Sequence, residues 1–227
     1  MKSIIIPSYN EEKRIGKTLE KLALALKNKK GFEVVIVDES TDSTPEIIAS
    51  FKKKLPIKYI HYSYKLGKGG ALRKGFAAAK GDCLIMDADL SVSIDESLTL
   101  FDYLKQFDVA IGSRYIRGAS KELPFSRWFA SRNFNFLVKS LLGLNYSDTQ
   151  CGYKAFTRKV AKMIAKESIE NGFVWDVECL LLCKKHGFSV KEVPVNWKHI
   201  SGGVPDANYF KTGRKMFSEL ISLRKRF

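Results

Sequence analysis

The sequence predicts an α/β domain in which a mostly parallel sheet is flanked by helices. Through residue 112, short apolar runs alternate with segments whose apolar residues recur every three or four positions. Strands that alternate with helices form largely parallel sheets with right-handed crossovers. The chain has 227 residues and 45% hydrophobic content, enough for one core, and it contains no repeat or linker. We therefore expect a single domain over residues 1–227.

Five apolar runs are predicted to be the strands of this sheet, because short apolar runs are typical of buried strands. They are Lys2 to Ile6, Glu33 to Val37, Ile57 to His61, Asp82 to Met86 and Asp108 to Gly112. Helices fill the intervals. Apolar residues from Ile15 to Leu26 recur at helical spacing, and Pro45 after Ser43 marks a second helix start. Residues 67–80 are predicted to form a loop and a third helix.

The pattern changes beyond Gly112. A segment rich in aromatics and leucine precedes two shorter helical stretches, and a basic amphipathic helix ends the chain. These C-terminal helices are predicted for residues 125–142, 157–166, 174–186 and 208–227. Val190 to Trp197 is predicted to be an edge strand because it contains Pro194, which has no amide to donate to a neighbour.

The charge is strongly uneven along the chain. Residues 1–112 hold 18 Lys and Arg against 15 Asp and Glu, whereas residues 113–227 hold 21 against 9. The basic half indicates an anionic partner, either nucleic acid or an anionic membrane surface. A solvated basic surface without a partner would show the same charge.

Several classes of protein are disfavoured by composition. Nothing near the N-terminus has the apolar stretch of a signal peptide, and no segment offers the ~18 uncharged apolar residues of a membrane span. The cysteines form no zinc pattern; they are Cys83, Cys151, Cys179 and Cys183. We expect a cytoplasmic protein, soluble or peripheral to a membrane, with reduced cysteines.

Two carboxylates, Asp87 and Asp89, directly follow the fourth apolar run. The carboxyl ends of parallel strands are where α/β folds bind ligands. Carboxylates this close repel each other unless a cation lies between them, and Mg²⁺ prefers one or two carboxylates plus phosphate oxygens. A solvated turn is the alternative interpretation of this short motif.

Polar loops also follow other strands. Tyr9 and Glu11 come after the first strand and suit base stacking and hydrogen bonding, while Asp38 ends the second and suits a base or ribose hydroxyl. The basic, glycine-rich segment Lys65 to Gly70 precedes a helix and is suited to an anion. Capping of the next helix by Ser8 or Asn10 and ordinary turn chemistry are the alternatives.

Four of these segments occur in a characteristic order. They are Ile5 to Glu12, Val37 to Thr44, Lys68 to Ala71 and Met86 to Ser91. Together they resemble the family 2 glycosyltransferases, whose GT-A fold is Rossmann-like. The second half resembles the dolichyl-phosphate glucosyltransferase branch of the polyprenyl-phosphate hexosyltransferases, through Gly112 to Arg114, Arg132 to Phe134, Asp148 to Lys154, Trp175 to Glu178 and Val193 to Trp197. The resemblance covers nearly the whole chain, but Glu39 stands where the family usually has Asp.

The resemblance implies an inverting hexosyltransferase that uses Mg²⁺ or Mn²⁺. Its expected donor is UDP-glucose, its acceptor a polyprenyl or dolichyl phosphate, and its location the cytoplasmic face of a membrane. Residues 1–112 would bind the nucleotide sugar, and residues 113–227 would bind the acceptor and face the membrane. Mannosyl transfer from GDP-mannose and transfer to a soluble acceptor remain alternatives. A nucleic-acid-binding protein that uses the basic half is a rival from another class, and no nucleic acid is expected.

The resemblance also implies a set of site residues. The nucleotide sugar is expected to contact Pro7, Tyr9, Glu11, Asp38, Lys68, Asp87, Ala88, Gln150, Trp175, Asp176 and Lys198. The metal would be held by Asp89, with Asp87 and Ser91. The acceptor phosphate would meet Arg114, Arg117, Arg127 and Arg132, whose guanidinium forks match phosphate geometry. The catalytic group would comprise Asp148, Asp89, Arg114 and Arg132.

Some of these roles have alternatives. Asp148 is expected to accept a proton or to orient the acceptor, and a turn residue is the alternative. Trp175 is equally suited to the core, and Ser91 to capping the following helix. Residues 125–142, with Trp128 and Phe129 among basic residues, are predicted to lie in the bilayer interface or to pack into the core.

Overall fold

The computed structural model describes residues 1–122, 124–198, 200 and 209–227. Its strands are β1 (Lys2–Ser8), β2 (Phe32–Asp38), β3 (Ile57–His61), β4 (Asp82–Ile85), β5 (Val109–Ser113), β6 (Ser120–Glu122), β7 (Lys154–Phe156), β8 (Val190–Pro194) and β9 (Asn196–Lys198). Seven of them form one sheet in the order β3-β2-β1-β4-β7-β5-β8, and β6 pairs with β9 in a second, two-stranded sheet. Only β7 runs antiparallel to its neighbours in the larger sheet.

Helices cover both faces of the larger sheet. They are α1 (Ile15–Leu26), α2 (Thr44–Ser50), α3 (Gly67–Ala78), α4 (Ile94–Tyr103), α5 (Phe125–Leu142), α6 (Arg158–Glu167), α7 (Trp175–Lys185) and α8 (Tyr209–Arg226). Alternate strand residues enter different cores, as the two-residue period of a strand requires. Ile4 and Ile6 pack with α1, α2 and α4, whereas Ile5 packs with α3, α6 and α7. This layered architecture confirms the predicted α/β class and its mostly parallel sheet.

The structure corrects one predicted strand and adds others. Val190 to Trp197 is not continuous, because the chain leaves the large sheet after Pro194 and Asn196 begins β9 against β6. Pro194 has no amide to extend the ladder, which explains the break. The three-residue strand β7, from Lys154 to Phe156, was not predicted. Three residues are too short for any hydrophobic period to be recognised.

Helix α5 packs into the core at its C-terminal end, as one alternative proposed, and is exposed at its N-terminal end. Val138 is buried in the core, and the C-terminal half of α5 packs against α8 and the core. Phe125 and Phe129 near the N-terminal end are 77% and 58% exposed. No helix in the described part of the chain is both long and apolar enough to cross a bilayer. The four cysteines are buried and unpaired.

Candidate active site

The loops after β1 and β2 are tied together at the carboxyl edge of the sheet. Asn10, whose φ is +54°, donates its amide N–H to Ser40 Oγ at 2.8 Å and accepts from the Thr41 amide at 3.0 Å. The Glu11 amide donates to Thr44 Oγ1 at 2.9 Å. Asn tolerates this left-handed backbone better than most residues. These bonds fix the chain around Pro7, Tyr9 and Glu11, and Asn10 joins loops rather than capping a helix.

Asp38 is fully buried at the end of β2 and accepts hydrogen bonds from three protein donors. The Tyr59 hydroxyl donates to it at 2.8 Å, the Ser40 hydroxyl lies 2.5 Å away and His61 Nδ1 lies 3.2 Å away. Burial raises the pKa of Tyr59, and its bond to the Asp38 carboxylate raises that pKa further. Tyr59 and His61 were not predicted, although His61 ends β3 at this same edge.

Glu39, which stands where the family usually has Asp, binds the start of α3. Its carboxylate accepts the backbone amides of Leu66 at 2.6 Å and Gly67 at 3.1 Å. These are amides at the start of α3, which have no partner within the helix. Glu39 therefore anchors the glycine-rich segment to the β2 loop. Lys65 in this segment lies 4.1 Å from the ring centre of Tyr9.

The Asp87 to Ser91 loop presents the two predicted carboxylates. Asp87 Oδ1 lies 3.3 Å from Lys68 Nζ, and Asp89 Oδ1 accepts the Ser91 amide at 2.9 Å. The carbonyl of buried Ala88 accepts a 2.7 Å bond from Thr18, which fixes the loop to α1. Ser91 does not cap the next helix, because α4 is capped by the Ser93 side chain.

Negative charge concentrates around this loop. Burial raises the pKa of Glu11, and the nearby Asp89 and Asp87 raise it further against the lowering effect of Arg14. Arg14 Nη1 lies 4.0 Å from Asp89 Oδ2. Among the described residues, no three acidic, histidine or cysteine side chains form a complete metal site. One or two carboxylates completed by phosphate oxygens suit Mg²⁺ or Mn²⁺, so the residues present fit the predicted cation.

Gly152 gives Asp87 its space. A Cβ atom on Gly152 would lie 2.0 Å from Asp87 Oδ2, far inside van der Waals contact. Gly152 belongs to the 148–152 loop, which leads into β7. The same loop begins with Asp148, so a single short segment joins the carboxylate loop to the basic half of the molecule.

Arg114 and Asp148 form a bidentate ion pair at the end of β5. Arg114 Nε and Nη2 lie 2.7 and 3.0 Å from the two carboxylate oxygens, and the Arg114 amide donates at 3.1 Å. Burial alone would raise the pKa of Asp148, but the bonds and charge of Arg114 lower it overall. The predicted proton-accepting role does not fit this geometry, because a carboxylate held ionised by two arginine bonds is a weak base. Orientation of Arg114 is the role that the contacts support.

Three cations surround the ring of Tyr115, an arrangement that we call the cation cluster. Lys121 Nζ, Arg132 and Arg114 lie 4.1, 4.9 and 5.6 Å from the ring centre. Burial lowers the pKa of Lys121, and the charges of Arg132 and Arg114 lower it further. Asp148 is the acidic partner of Arg114 in this group, which leaves the cluster with net positive charge. An anion placed here would relieve that repulsion.

Lys121 was not predicted, because it lies outside every recognisable motif and only its position in β6 brings it beside Arg132. The other predicted arginines are less informative. Arg117 is exposed on the loop before β6, and the side chain of Arg127 lies outside the described residues.

The remaining predicted residues differ in their burial and in their partners. Gln150 Nε2 is buried without a hydrogen-bond partner in the described part of the chain, so its amide is free to donate to a ligand. Lys198 is exposed and lies 3.5 Å from Glu122, while its backbone holds Ser91. Trp175 is fully buried between Phe76 and the core, as its core alternative proposed, so it cannot line a ligand pocket directly.

Asp176 is also buried, and it lies 2.5 Å from Lys154 Nζ. Its charge contributes to the raised pKa of Lys68, although burial lowers that pKa and Asp87 raises it most. Asp176 therefore acts on the site through electrostatics rather than through a direct contact in this structure.

Comparisons with known proteins identify the family of this chain. Residues 3–164 match Glycosyl transferase family 2. The chain is 33% identical to glycosyltransferase AglD of Haloferax volcanii over 86% of its own length and 33% of the relative's. It is 30% identical to a dolichyl-phosphate beta-glucosyltransferase of Dictyostelium discoideum over 99% of its length and 74% of that protein.

A solved structure shares the fold. Glucosyl-3-phosphoglycerate synthase from Mycobacterium tuberculosis superposes with a TM-score of 0.73 at 15% identity, covering 98% of this chain and 79% of the other. The predicted GT-A fold is thereby confirmed. With a match over most of its length, the chain belongs to glycosyl transferase family 2, and it is similar in sequence to dolichyl-phosphate beta-glucosyltransferases.

Proposed function

We propose that this protein transfers glucose from UDP-glucose to a polyprenyl or dolichyl phosphate. The observation that carries the proposal is the 148–152 loop, whose Asp148 holds Arg114 of the cation cluster and whose Gly152 faces Asp87. A carboxylate site suited to a metal-bound diphosphate therefore adjoins a cationic site suited to a second phosphate. The glucosyltransferase relatives support the choice of sugar and acceptor.

The roles of the protein groups follow from their charges. The acceptor phosphate is ionised near neutral pH, so it needs positioning and charge neutralisation more than a general base. Arg132, Lys121 and the Arg114 fork held by Asp148 would supply both. Asp89 and Asp87 would hold Mg²⁺ or Mn²⁺, which neutralises charge on the departing nucleoside diphosphate when bound. Gln150 would donate its free amide to the sugar or the acceptor.

Lys68, whose ammonium group pairs with Asp87, would place a positive charge beside the diphosphate. Tyr9 and Glu11 would contact the base and ribose at the edge formed by β1 and β2, where the fully buried Asp38 would position Tyr59 and His61. Attack in line with the leaving group inverts the anomeric carbon, which gives a β-linked product from an α-linked donor.

A panel of donors and acceptors tests the proposal against its alternatives. The protein is incubated with Mg²⁺ or Mn²⁺, UDP-glucose or GDP-mannose, and polyprenyl phosphate in detergent, with free sugars and DNA as rival partners. Glucolipid formed from UDP-glucose supports the proposal. Mannolipid alone, a glycosylated soluble sugar, or salt-sensitive DNA binding without any transfer would each contradict it.

Lys121 offers a prediction about the acceptor. Lys121→Gln removes one charge from the cation cluster, so we expect the KM for polyprenyl phosphate to rise about tenfold while the KM for UDP-glucose stays unchanged. The control is Lys105→Gln, which removes the same charge from an exposed helix end. Equal effects of the two changes on the acceptor would contradict the role of Lys121.

The same residue predicts a pH dependence. Lysine is charged below its pKa, and the pKa of Lys121 is lowered by burial and by its neighbouring arginines. Acceptor affinity should therefore fall as pH rises through this lowered pKa, at a lower pH than an ordinary lysine would give. Acceptor KM measured against pH should lose this step in Lys121→Gln; a step retained in the variant would exclude Lys121 as its source.

We also propose that α5 places the protein at an anionic membrane surface, on its cytoplasmic face. Phe125 stacks with both Trp128 and Phe129, and all three side chains are exposed at the N-terminal end of α5. These rings precede Arg132 of the cation cluster on the same helix. Aromatic rings beside basic residues suit an interfacial helix.

Vesicle binding tests this orientation. Phe129→Ser removes a 58% exposed ring, and we expect partitioning onto phosphatidylserine vesicles to fall about tenfold, because burying such a ring contributes roughly 1.5–3 kcal/mol. Leu24→Ser on α1 is the control, since Leu24 is 70% exposed in the other half of the chain. Equal losses for both variants would contradict the assignment of α5.

A further inference from the structure

Glu178 is a fully buried carboxylate that no step of the proposed chemistry uses. Its two oxygens accept the backbone amides of Ile169 at 2.8 Å and Glu170 at 2.9 Å. Arg226, near the end of α8, forms an ion pair with the same carboxylate. Glu178 thus joins the C-terminal helix to residues 168–172, which we call the α6–α7 loop.

The α6–α7 loop is bonded in turn to the start of α3. The Asn171 carbonyl accepts the Gly69 amide at 2.9 Å. The Arg73 guanidinium donates to the carbonyls of Ser168 and Glu170, both at 3.2 Å, and to Asn171 Oδ1 at 2.6 Å. A shift of the loop therefore moves the acceptors that fix the first turn of α3.

The contact between loop and helix is unusually close. A Cβ atom on Gly67 would lie 2.5 Å from the Asn171 carbonyl oxygen, and one on Gly69 would lie 2.6 Å from the Glu170 carbonyl oxygen. Gly67 also has a φ of +77°, which favours glycine. Lys68 lies between these two glycines and pairs with Asp87. Its placement therefore depends on the loop that Glu178 holds.

We propose that Glu178 is a positioning residue, through which the docking of α8 by Arg226 orders the Lys68 segment for the nucleotide diphosphate. This inference rests on the proposed function for the identity of the donor. Its physical basis does not, because every link from Arg226 to Lys68 is a contact within the protein. The charge of Arg226 compensates a buried carboxylate whose other partners are neutral amides, so losing it should loosen that anchor.

Arg226→Gln is the informative change, and Arg224→Gln is its matched control. Both remove one positive charge from the last turn of α8, but only Arg226 is paired with Glu178. Hydrogen exchange of the Gly69 amide reports the link directly, because that amide donates to Asn171. We expect at least tenfold faster exchange in Arg226→Gln and no change in Arg224→Gln.

Kinetics provide the second readout. Arg226→Gln should raise the KM for UDP-glucose about tenfold, leaving kcat and the KM for polyprenyl phosphate within twofold of the original values. Arg226→Lys, which keeps the charge, should restore most of the donor affinity. A general loss of structure would instead change all three parameters together.

Equal rates of Gly69 exchange in Arg226→Gln and Arg224→Gln would overturn the inference. In Arg226→Gln, a rise in the KM for polyprenyl phosphate that matches the rise in the KM for UDP-glucose would overturn it too. Glu178→Gln provides an independent check. The side-chain NH2 group that replaces one carboxylate oxygen cannot accept a hydrogen bond, so the bond from the Ile169 or the Glu170 amide is lost. Unchanged Gly69 exchange in this variant would also refute the link. If UDP-glucose is not the donor, the proposed function fails, and the Gly69 exchange still decides this inference.

Discussion

Gly152→Ala should reduce transfer at least a hundredfold while the protein remains folded. The new methyl group would lie 2.0 Å from Asp87 Oδ2, so the carboxylate must turn away. That movement breaks its pairing with Lys68 and displaces an oxygen needed beside the diphosphate. Misplacing a reacting group by about 1 Å costs roughly a hundredfold in rate, which sets the expected magnitude.

Gly16→Ala is the matched control for this change. The added Cβ in α1 would meet its nearest neighbour at 3.5 Å, an ordinary contact. Alanine also favours a helix more than glycine does, by roughly 1 kcal/mol. Steady-state rates and melting temperatures of both variants should be compared. Full activity in Gly152→Ala would mean that Asp87 is not needed where the structure places it.

Asp89→Asn should lower kcat on the order of a thousandfold, the second large effect that we expect. Asparagine keeps an oxygen to accept the Ser91 amide, so the loop should hold its shape. The carboxylate charge is lost, and with it the attraction for the cation that neutralises the leaving group. A bound cation contributes several kcal/mol of transition-state stabilisation, and losing about 4 kcal/mol of it slows the reaction on the order of a thousandfold.

Asp95→Asn controls for the change of charge, because Asp95 is exposed in the first turn of α4. Rates should be measured over a range of Mn²⁺ concentrations, and Asp89→Asn should need much more metal or fail to respond. A normal metal requirement with normal turnover in Asp89→Asn would show that Asp89 does not bind the cation.

The sequence predicted the features of the site that depend on strand ends. Carboxylates follow the second and fourth apolar runs directly, so Asp38, Asp87 and Asp89 are placed at strand ends by position alone. The α/β class follows from the same alternation. The fold class and the positions of these carboxylates after strand ends are confirmed, because burial in a parallel sheet leaves a strong local pattern, whereas their ligand roles stay predictions.

The features that the sequence did not reveal depend on distant parts of the chain meeting. Lys121 and Arg132 meet at the ring of Tyr115 although they lie in different elements, and β7 is too short to show a period. The capping of α3 by Glu39 depends on a contact across 27 residues. Asp148 was recognised from its motif, but its bidentate bond to Arg114 changes its expected role from base to anchor.

We propose that one site brings a metal-bound sugar diphosphate and a lipid phosphate together. The most direct test of this proposal is the structure of the product formed from UDP-glucose and polyprenyl phosphate, compared with polyprenol that lacks the phosphate. We predict a β-glucosyl phosphate lipid from the first acceptor, no product from the second, and loss of product when the metal is chelated. Transfer to polyprenol at an equal rate, or transfer undiminished by chelation, would show that the site does not combine a lipid phosphate with a metal-bound diphosphate.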